Sequence, residues 1–185
     1  MKAVILHGTG NNHKGNWFPW LKIELEKLGY EVWVPDLPEA DRPNAKKYTN
    51  FLLNQDWDFN NNLVIGHSAG AVEVLHLLEN LPKSISINTA IMVAVFKGDL
   101  GWENLKSINK PAPNLQKIKQ KAKQFIVVQS DDDPYCPTED ARDIAVQLGA
   151  EFKLFHGMKH FSKNTEPRFV KFPELLQIIK AEVKV

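Results

Sequence analysis

The 185-residue chain contains one cysteine, Cys136. No intrachain disulfide can therefore form, and such sparse use fits a reducing compartment. Charge of either sign is not in excess: 23 Lys and Arg stand against 22 Asp and Glu, for a formal net charge of +1. That balance gives no electrostatic reason to expect a nucleic-acid or membrane partner. Long apolar runs are also missing, and none approaches the roughly 20 residues that span a bilayer. Ala3-Val4-Ile5-Leu6, before His7 and Gly8, is too short for the apolar region of a secretory leader. There is no internal repeat, low-complexity tract or linker. The expectation is a soluble cytoplasmic protein forming a single domain over residues 1–185. A hydrophobic content of 43% is ample for a core.

Short strand-like runs alternate with amphipathic helical patterns. Strands are expected at Lys2–Leu6, Glu31–Val34, Leu63–His67, Thr89–Val95, Phe125–Gln129 and Glu151–Phe155. Helices are expected at Trp17–Leu28, Asn44–Leu53, Ser68–Leu81, Leu115–Lys123, Thr138–Leu148 and Pro173–Val183. Asn16 is the expected cap of the first helix, whose apolar face would be Trp17, Leu21, Leu25 and Leu28. Gly29 and Gly149 stop two of the helices. Phe96–Pro113, with two glycines and two prolines, reads as a loop or small lid. Regular strand–helix alternation implies an α/β fold, a three-layer αβα arrangement around a mainly parallel sheet of about six strands.

The most specific local signal is Gly66-His67-Ser68-Ala69-Gly70, between an expected strand and an expected helix. Gly-x-Ser-x-Gly at such a junction is the nucleophile elbow of serine hydrolases. The chain reverses so sharply that the serine takes a strained conformation, and the flanking glycines avoid a collision across the turn.

A serine hydroxyl is a weak nucleophile. It needs an imidazole to take its proton and a carboxylate to orient that imidazole. In α/β-hydrolases the chain order is Ser, acid, His. Asp131-Asp132-Asp133 follows the fifth strand, and His156-Gly157-Met158-Lys159-His160 follows the sixth. Each group thus falls at the C-terminal end of a strand, where open α/β sheets bind ligands. Asp133 is favoured as the acid, with Asp132 as the alternative. The remaining aspartates would cap the helix near Thr138 or face solvent. His160 is favoured over His156 as the base. The oxyanion donors are expected to be the amides of Ala69 and Thr9, with Gly10 as runner-up to Thr9. Any one of these motifs is weak alone; order and placement together carry the reading.

Rival motifs fail on detail. Gly10-Asn11-Asn12-His13-Lys14-Gly15 starts like a phosphate-binding loop, but Asn16 and Trp17 stand where Lys and Ser or Thr are required. His156 and His160 have a helical metal-ligand spacing in a loop context, and His-Glu-x-x-His is absent, so no metal and no cofactor are expected. His67 and His76 read as packing or surface residues, and Cys136 as a small buried hydrophobe. The basic run Lys117–Lys123 reads as a solvated helix face. Trp17 and Trp20 lean toward core packing, although Trp17 and Gly10 are kept as candidate pocket residues. Trp102, in the Phe96–Pro113 segment, is the stronger candidate for a substrate contact.

Asn16-Trp17-Phe18-Pro19-Trp20-Leu21, the Gly-His-Ser-Ala-Gly elbow, Asp132-Asp133-Pro134 and Gly157-Met158-Lys159-His160-Phe161 together resemble the small serine hydrolases related to retinoblastoma-binding protein and its bacterial relatives. The resemblance spans essentially the whole chain. It implies a trimmed α/β-hydrolase fold without a large cap domain and with sheet order 2-1-3-4-5-6. It places the catalytic serine, aspartate and histidine on Ser68, Asp133 and His160. Relatives often carry Gly immediately before the histidine, where this chain has Lys159. The Leu-x-Cys-x-Glu segment that binds retinoblastoma protein is missing, so that partner is not carried over. The expected activity is hydrolysis of a small ester, thioester or amide. The alternative is a non-catalytic interaction module that keeps the hydrolase frame.

Overall fold

The computed structural model describes residues 1–182; Val183, which ends the last expected helix, lies outside them. Among the described residues there are six strands: β1 (Lys2–Leu6), β2 (Glu31–Trp33), β3 (Leu63–His67), β4 (Ile87–Val93), β5 (Ala122–Ser130) and β6 (Glu151–Phe155). They form one sheet in the order β2-β1-β3-β4-β5-β6, and every neighbouring pair is parallel. This is the expected α/β-hydrolase order. The helices are α1 (Phe18–Lys27), α2 (Ala45–Leu53), α3 (Ala69–Asn80), α4 (Leu115–Ile118), α5 (Thr138–Leu148) and α6 (Pro173–Glu182). No described helix is long and apolar enough to cross a membrane.

The strand order dictates where the helices go. Crossovers between parallel strands are right-handed. The step from β1 to β2 runs one way along the sheet, and every later step runs the other way. Hence α1 covers one face, and α2 to α5 cover the opposite face. Consistently, α2 packs on α3, α3 on α4 and α4 on α5. Trp17, just before α1, packs edge-on against Phe172, just before α6, so α6 returns to the α1 side. Covered on both faces, β1 and β3 are buried along most of their length, and Val4, Ile5, Val64 and Ile65 are fully enclosed. Each such side chain contributes about 1.5–3 kcal/mol relative to exposure.

Several expected boundaries shift, each for a contact distant in sequence. The fourth helix stops at Ile118 rather than Lys123, because Ala122 pairs with Ile87 and draws residues 122–124 into the β5 ladder. The basic run is therefore only partly helical. For the same reason β4 begins at Ile87 rather than Thr89, and it ends before Ala94, which takes φ 54°. Asn16 does not cap α1: it has φ 45°, and Trp17 occupies the cap position without a side-chain bond. Leu28 is exposed at the end of α1, whose inward residues are Phe18, Leu21 and Leu25. Asn44, in contrast, caps α2 by accepting from the Lys47 amide at 3.0 Å. Phe96–Pro113 carries a short 3₁₀ turn at Glu103–Leu105 and buries Leu105 and Ile108. It is tied down by Asn104 donating to the Asp41 carbonyl and Asn109 to the Gly98 carbonyl.

Candidate active site

Ser68 joins β3 to α3 with φ 56° and ψ −122°. A non-glycine residue there stores about 1–3 kcal/mol of backbone strain. The surroundings leave it no alternative. The Ser68 amide donates to the Val93 carbonyl at 2.9 Å. A Cβ on Gly66 would come within 2.3 Å of the Gly70 carbonyl oxygen, and one on Gly70 within 2.4 Å of the Leu6 carbonyl oxygen. Both glycines are thus required by close backbone approach, as the motif suggested.

The loop after β1 reaches the same point. A Cβ on Gly8 would lie 3.0 Å from the Ser68 Cβ. His7 fixes the loop's orientation. Its Nε2 accepts from the Leu37 amide at 2.9 Å, so the ring proton sits on Nδ1 and is donated to the Gly8 carbonyl, also at 2.9 Å. Burial lowers the His7 pKa and keeps the ring neutral, as this arrangement needs. In a trans peptide C=O and N–H point opposite ways, so holding the Gly8 carbonyl on His7 turns the Thr9 amide away from it. The Thr9 and Ala69 amides have no backbone acceptor among the described residues. Gly10 is different. Its amide is committed to the Ala40 carbonyl at 2.9 Å, and it does not line the cleft, so it is neither an oxyanion donor nor a pocket residue.

His160 Nδ1 lies 2.8 Å from Asp133 Oδ2. The Asp133 side chain is wholly enclosed and that of His160 nearly so. The other carboxylate oxygen accepts from the Tyr135 and Cys136 amides at 2.9 and 3.1 Å, fixing the acid from behind. Asp133 and His160 are therefore the pair brought together, not Asp132 and not His156.

Asp131 and Asp132 neither cap α5 nor simply face water. Asp131 meets His156 Nδ1 at 2.6 Å and accepts from the Gly157 amide at 3.1 Å. Asp132 accepts from the Lys159 amide at 2.8 Å, pairs with the Lys159 ammonium at 2.7 Å, and accepts from the Ser130 hydroxyl at 2.8 Å. The Lys159 ammonium, followed by the Ser130 hydroxyl, lowers the Asp132 pKa to about 2. His156, then the Gly157 amide, lowers that of Asp131. Three consecutive aspartates thus grip three points of the loop that carries His160. This loop needs holding: Gly157, Lys159 and Phe161 all have positive φ, at 69°, 51° and 50°. Lys159 occupies a left-handed position that glycine would fill without strain, and Asp132 holds both its amide and its ammonium there. A triple-Asp turn opposite a loop bearing His156 and Lys159 was the sequence signal for this clasp.

The far side of the same loop is held by residues to which the sequence suggested other roles. The His67 Nε2–H donates to the His160 carbonyl at 2.8 Å. Burial, reinforced by the neighbouring His160, lowers the His67 pKa to about 3 and so keeps its ring neutral. Trp17 Nε1–H donates to the Phe161 carbonyl at 3.0 Å, and Asn16 Oδ1 accepts from the Lys163 amide at 3.2 Å. Trp17 is fully buried and packs against Phe18, His67 and Phe172, so it is not a pocket wall as proposed from sequence. Its indole instead supports the loop that carries His160.

Thr9, Ser68, Trp102, Tyr135, Cys136 and His160 share one cleft of about 220 Å³. Trp102 thus lines the cleft that holds Ser68. Cys136 is buried, and its thiol is pushed well up by burial and then by Asp133 and Asp140; the Ser68 hydroxyl lies within hydrogen-bond reach of it. Asp133, Cys136 and His160 place ligand-type atoms within 4.8 Å of one another. Within this cluster Asp133 and His160 bond to each other.

Comparison with known proteins identifies the family. The serine hydrolase family model matches residues 3–181. The chain is 27% identical to serine hydrolase RBBP9 of Rattus norvegicus over 97% of this chain and 94% of that protein. It is 29% identical to the putative hydrolase YdeN of Bacillus subtilis over 84% of each. The crystal structure of the B. subtilis ydeN product superimposes with a TM-score of 0.89 at 26% identity, covering 97% of both chains. The chain belongs to the serine hydrolase family.

Proposed function

We propose that the protein hydrolyses a small carboxylic ester, with thioesters and amides as further substrates, through a Ser68–His160–Asp133 triad and an acyl-enzyme intermediate. The observation that carries this reading is the enclosed Asp133–His160 pair sharing a cleft with a serine held at positive φ on the elbow. His160 Nε2 takes the Ser68 proton as the oxygen bonds to the carbonyl carbon. Developing negative charge on the carbonyl oxygen is met by the amides of Thr9 and Ala69; in a serine protease the loss of one such donor costs about 2.7–4 kcal/mol. The imidazolium, steadied by Asp133, returns its proton to the leaving oxygen, whose bond to carbon breaks. Water, deprotonated by the same ring, then attacks the acyl-serine and releases the acid and free Ser68. None of these steps calls on a cofactor. The unpaired Cys136 supports the cytoplasm as the place of action.

Turnover of p-nitrophenyl acetate and butyrate by the wild-type chain, abolished in Ser68→Ala, is the expected result. Folded wild-type protein that neither cleaves these esters nor reacts with a fluorophosphonate would point instead to a non-catalytic interaction module.

A further inference from the structure

Resting on the ester-hydrolase reading, we infer that the cleft is built for esters whose leaving alcohol is uncharged and carries an aromatic ring, seated against Trp102 and Tyr135. Both side chains line the cleft, yet they remain 45% and 41% exposed. Singly exposed aromatics need no explanation, but these two form a connected row. Trp102 meets Tyr135 edge-on at 5.6 Å between centroids, and Tyr135 meets the His160 ring edge-on at 4.9 Å. The row therefore runs from the proposed base out to the rim, with apolar Leu100 and Leu105 on the same cleft.

Position assigns the row to the leaving group. His160 has to deliver a proton to the departing oxygen, so that oxygen lies within hydrogen-bond reach of the imidazole. A ring one carbon beyond it falls beside Tyr135, the next ring in the row, and then Trp102. The Tyr135 backbone is itself fixed, because its amide donates to the Asp133 carboxylate at 2.9 Å. Charge is excluded by the lining, which holds no Lys, Arg, Asp or Glu among the described residues. The other lining residues include Asn11, Asn164 and Ser162, amide and hydroxyl groups that offer a ring a poorer seat.

The test is kcat/KM of the full chain on benzyl, cyclohexylmethyl and ethyl acetates, whose alcohols differ little in acidity. Benzyl acetate is expected to exceed ethyl acetate by about tenfold or more, the scale of one well-filled apolar contact, with cyclohexylmethyl acetate between them. The benzyl-to-ethyl ratio should fall toward one in Trp102→Ala and Tyr135→Ala, and be retained in Tyr135→Phe. A wild-type ratio near one, a ratio unmoved by Trp102→Ala, or cyclohexylmethyl acetate equal to benzyl acetate overturns the assignment while leaving the hydrolase reading intact. Absence of turnover on every ester, with Ser68 also inert to a fluorophosphonate, overturns both.

Discussion

His67 donates its Nε2–H to the main-chain carbonyl of His160 at 2.8 Å, so the residue immediately before the elbow serine holds the loop that carries the proposed base. The bond crosses from β3 to the loop after β6, 93 residues along the chain. It couples the placement of Ser68 to the placement of His160. Asp131, Asp132 and Asp133 hold the same loop from the other side.

The roles within the aspartate run separate cleanly by mutation. Asp133→Asn presents the wrong partner to His160 Nδ1 and should lower kcat by about four orders of magnitude with the fold intact. Asp132→Ala removes the acceptor of the Lys159 amide without touching the ring, and should lower kcat by about tenfold. Steady-state kinetics on p-nitrophenyl acetate measure both; the reverse order would move the acid to Asp132.

Lys159 stands at φ 51° directly before His160. Glycine adopts that conformation freely, whereas a β-branched residue there is a true outlier. Lys159→Gly should keep kcat within about threefold of wild type, because the backbone stays where it is. Lys159→Val should lose at least about tenfold as the loop shifts. Equal kinetics for the two variants would show that loop geometry does not depend on this torsion.

Much of the fold is legible in the residues themselves. Buried parallel strands are apolar runs, and the turn glycines mark their own positions. Gly149, for example, ends α5 with φ 68° as a left-handed cap should. What is not legible is decided by partners far along the chain. The end of α4 depends on β5 pairing with Ile87. The role of Asn16 depends on Lys163, 147 residues away, so a residue that looks like a helix cap serves as a loop anchor. Trp17 misleads in the same way: an aromatic beside the oxyanion loop suggests a pocket wall until its hydrogen bond to Phe161 is seen. Ser68 and the segments that bear Asp133 and His160 stand out in the sequence because each follows a strand end. The bond from His67 to the His160 carbonyl could not, because it depends on a loop 93 residues further along the chain.

Trp17→Phe tests the corrected role of that side chain. It leaves the Phe161 carbonyl without its buried donor and opens a small void, which should cost about 1–3 kcal/mol of stability in urea unfolding. KM for small esters should not change, since the ring lies outside the cleft. A raised KM with unchanged stability would restore Trp17 to the pocket.

Glu73, on α3, is fully buried, with one carboxyl oxygen accepting from the Thr49 hydroxyl at 2.7 Å and the other unpartnered. Burial raises its pKa well above the ordinary 4.5. The native state therefore keeps a proton that the unfolded chain releases, and stability is lost as pH rises from about 4.5 toward the native pKa, by up to about 1.4 kcal/mol per pH unit. Glu73→Gln removes this dependence. Its stability relative to wild type should grow between about pH 5 and pH 8 in urea titrations. A difference independent of pH would mean that Glu73 is ionised in the folded protein.

The proposed activity stands or falls on whether Ser68 is a reactive nucleophile backed by His160. Intact-mass and peptide mapping after fluorophosphonate treatment read this directly. The expected result is one adduct per chain, on Ser68, absent in Ser68→Ala and strongly slowed in His160→Ala. A folded wild-type protein that stays unmodified, or that carries the adduct on another residue, would contradict it.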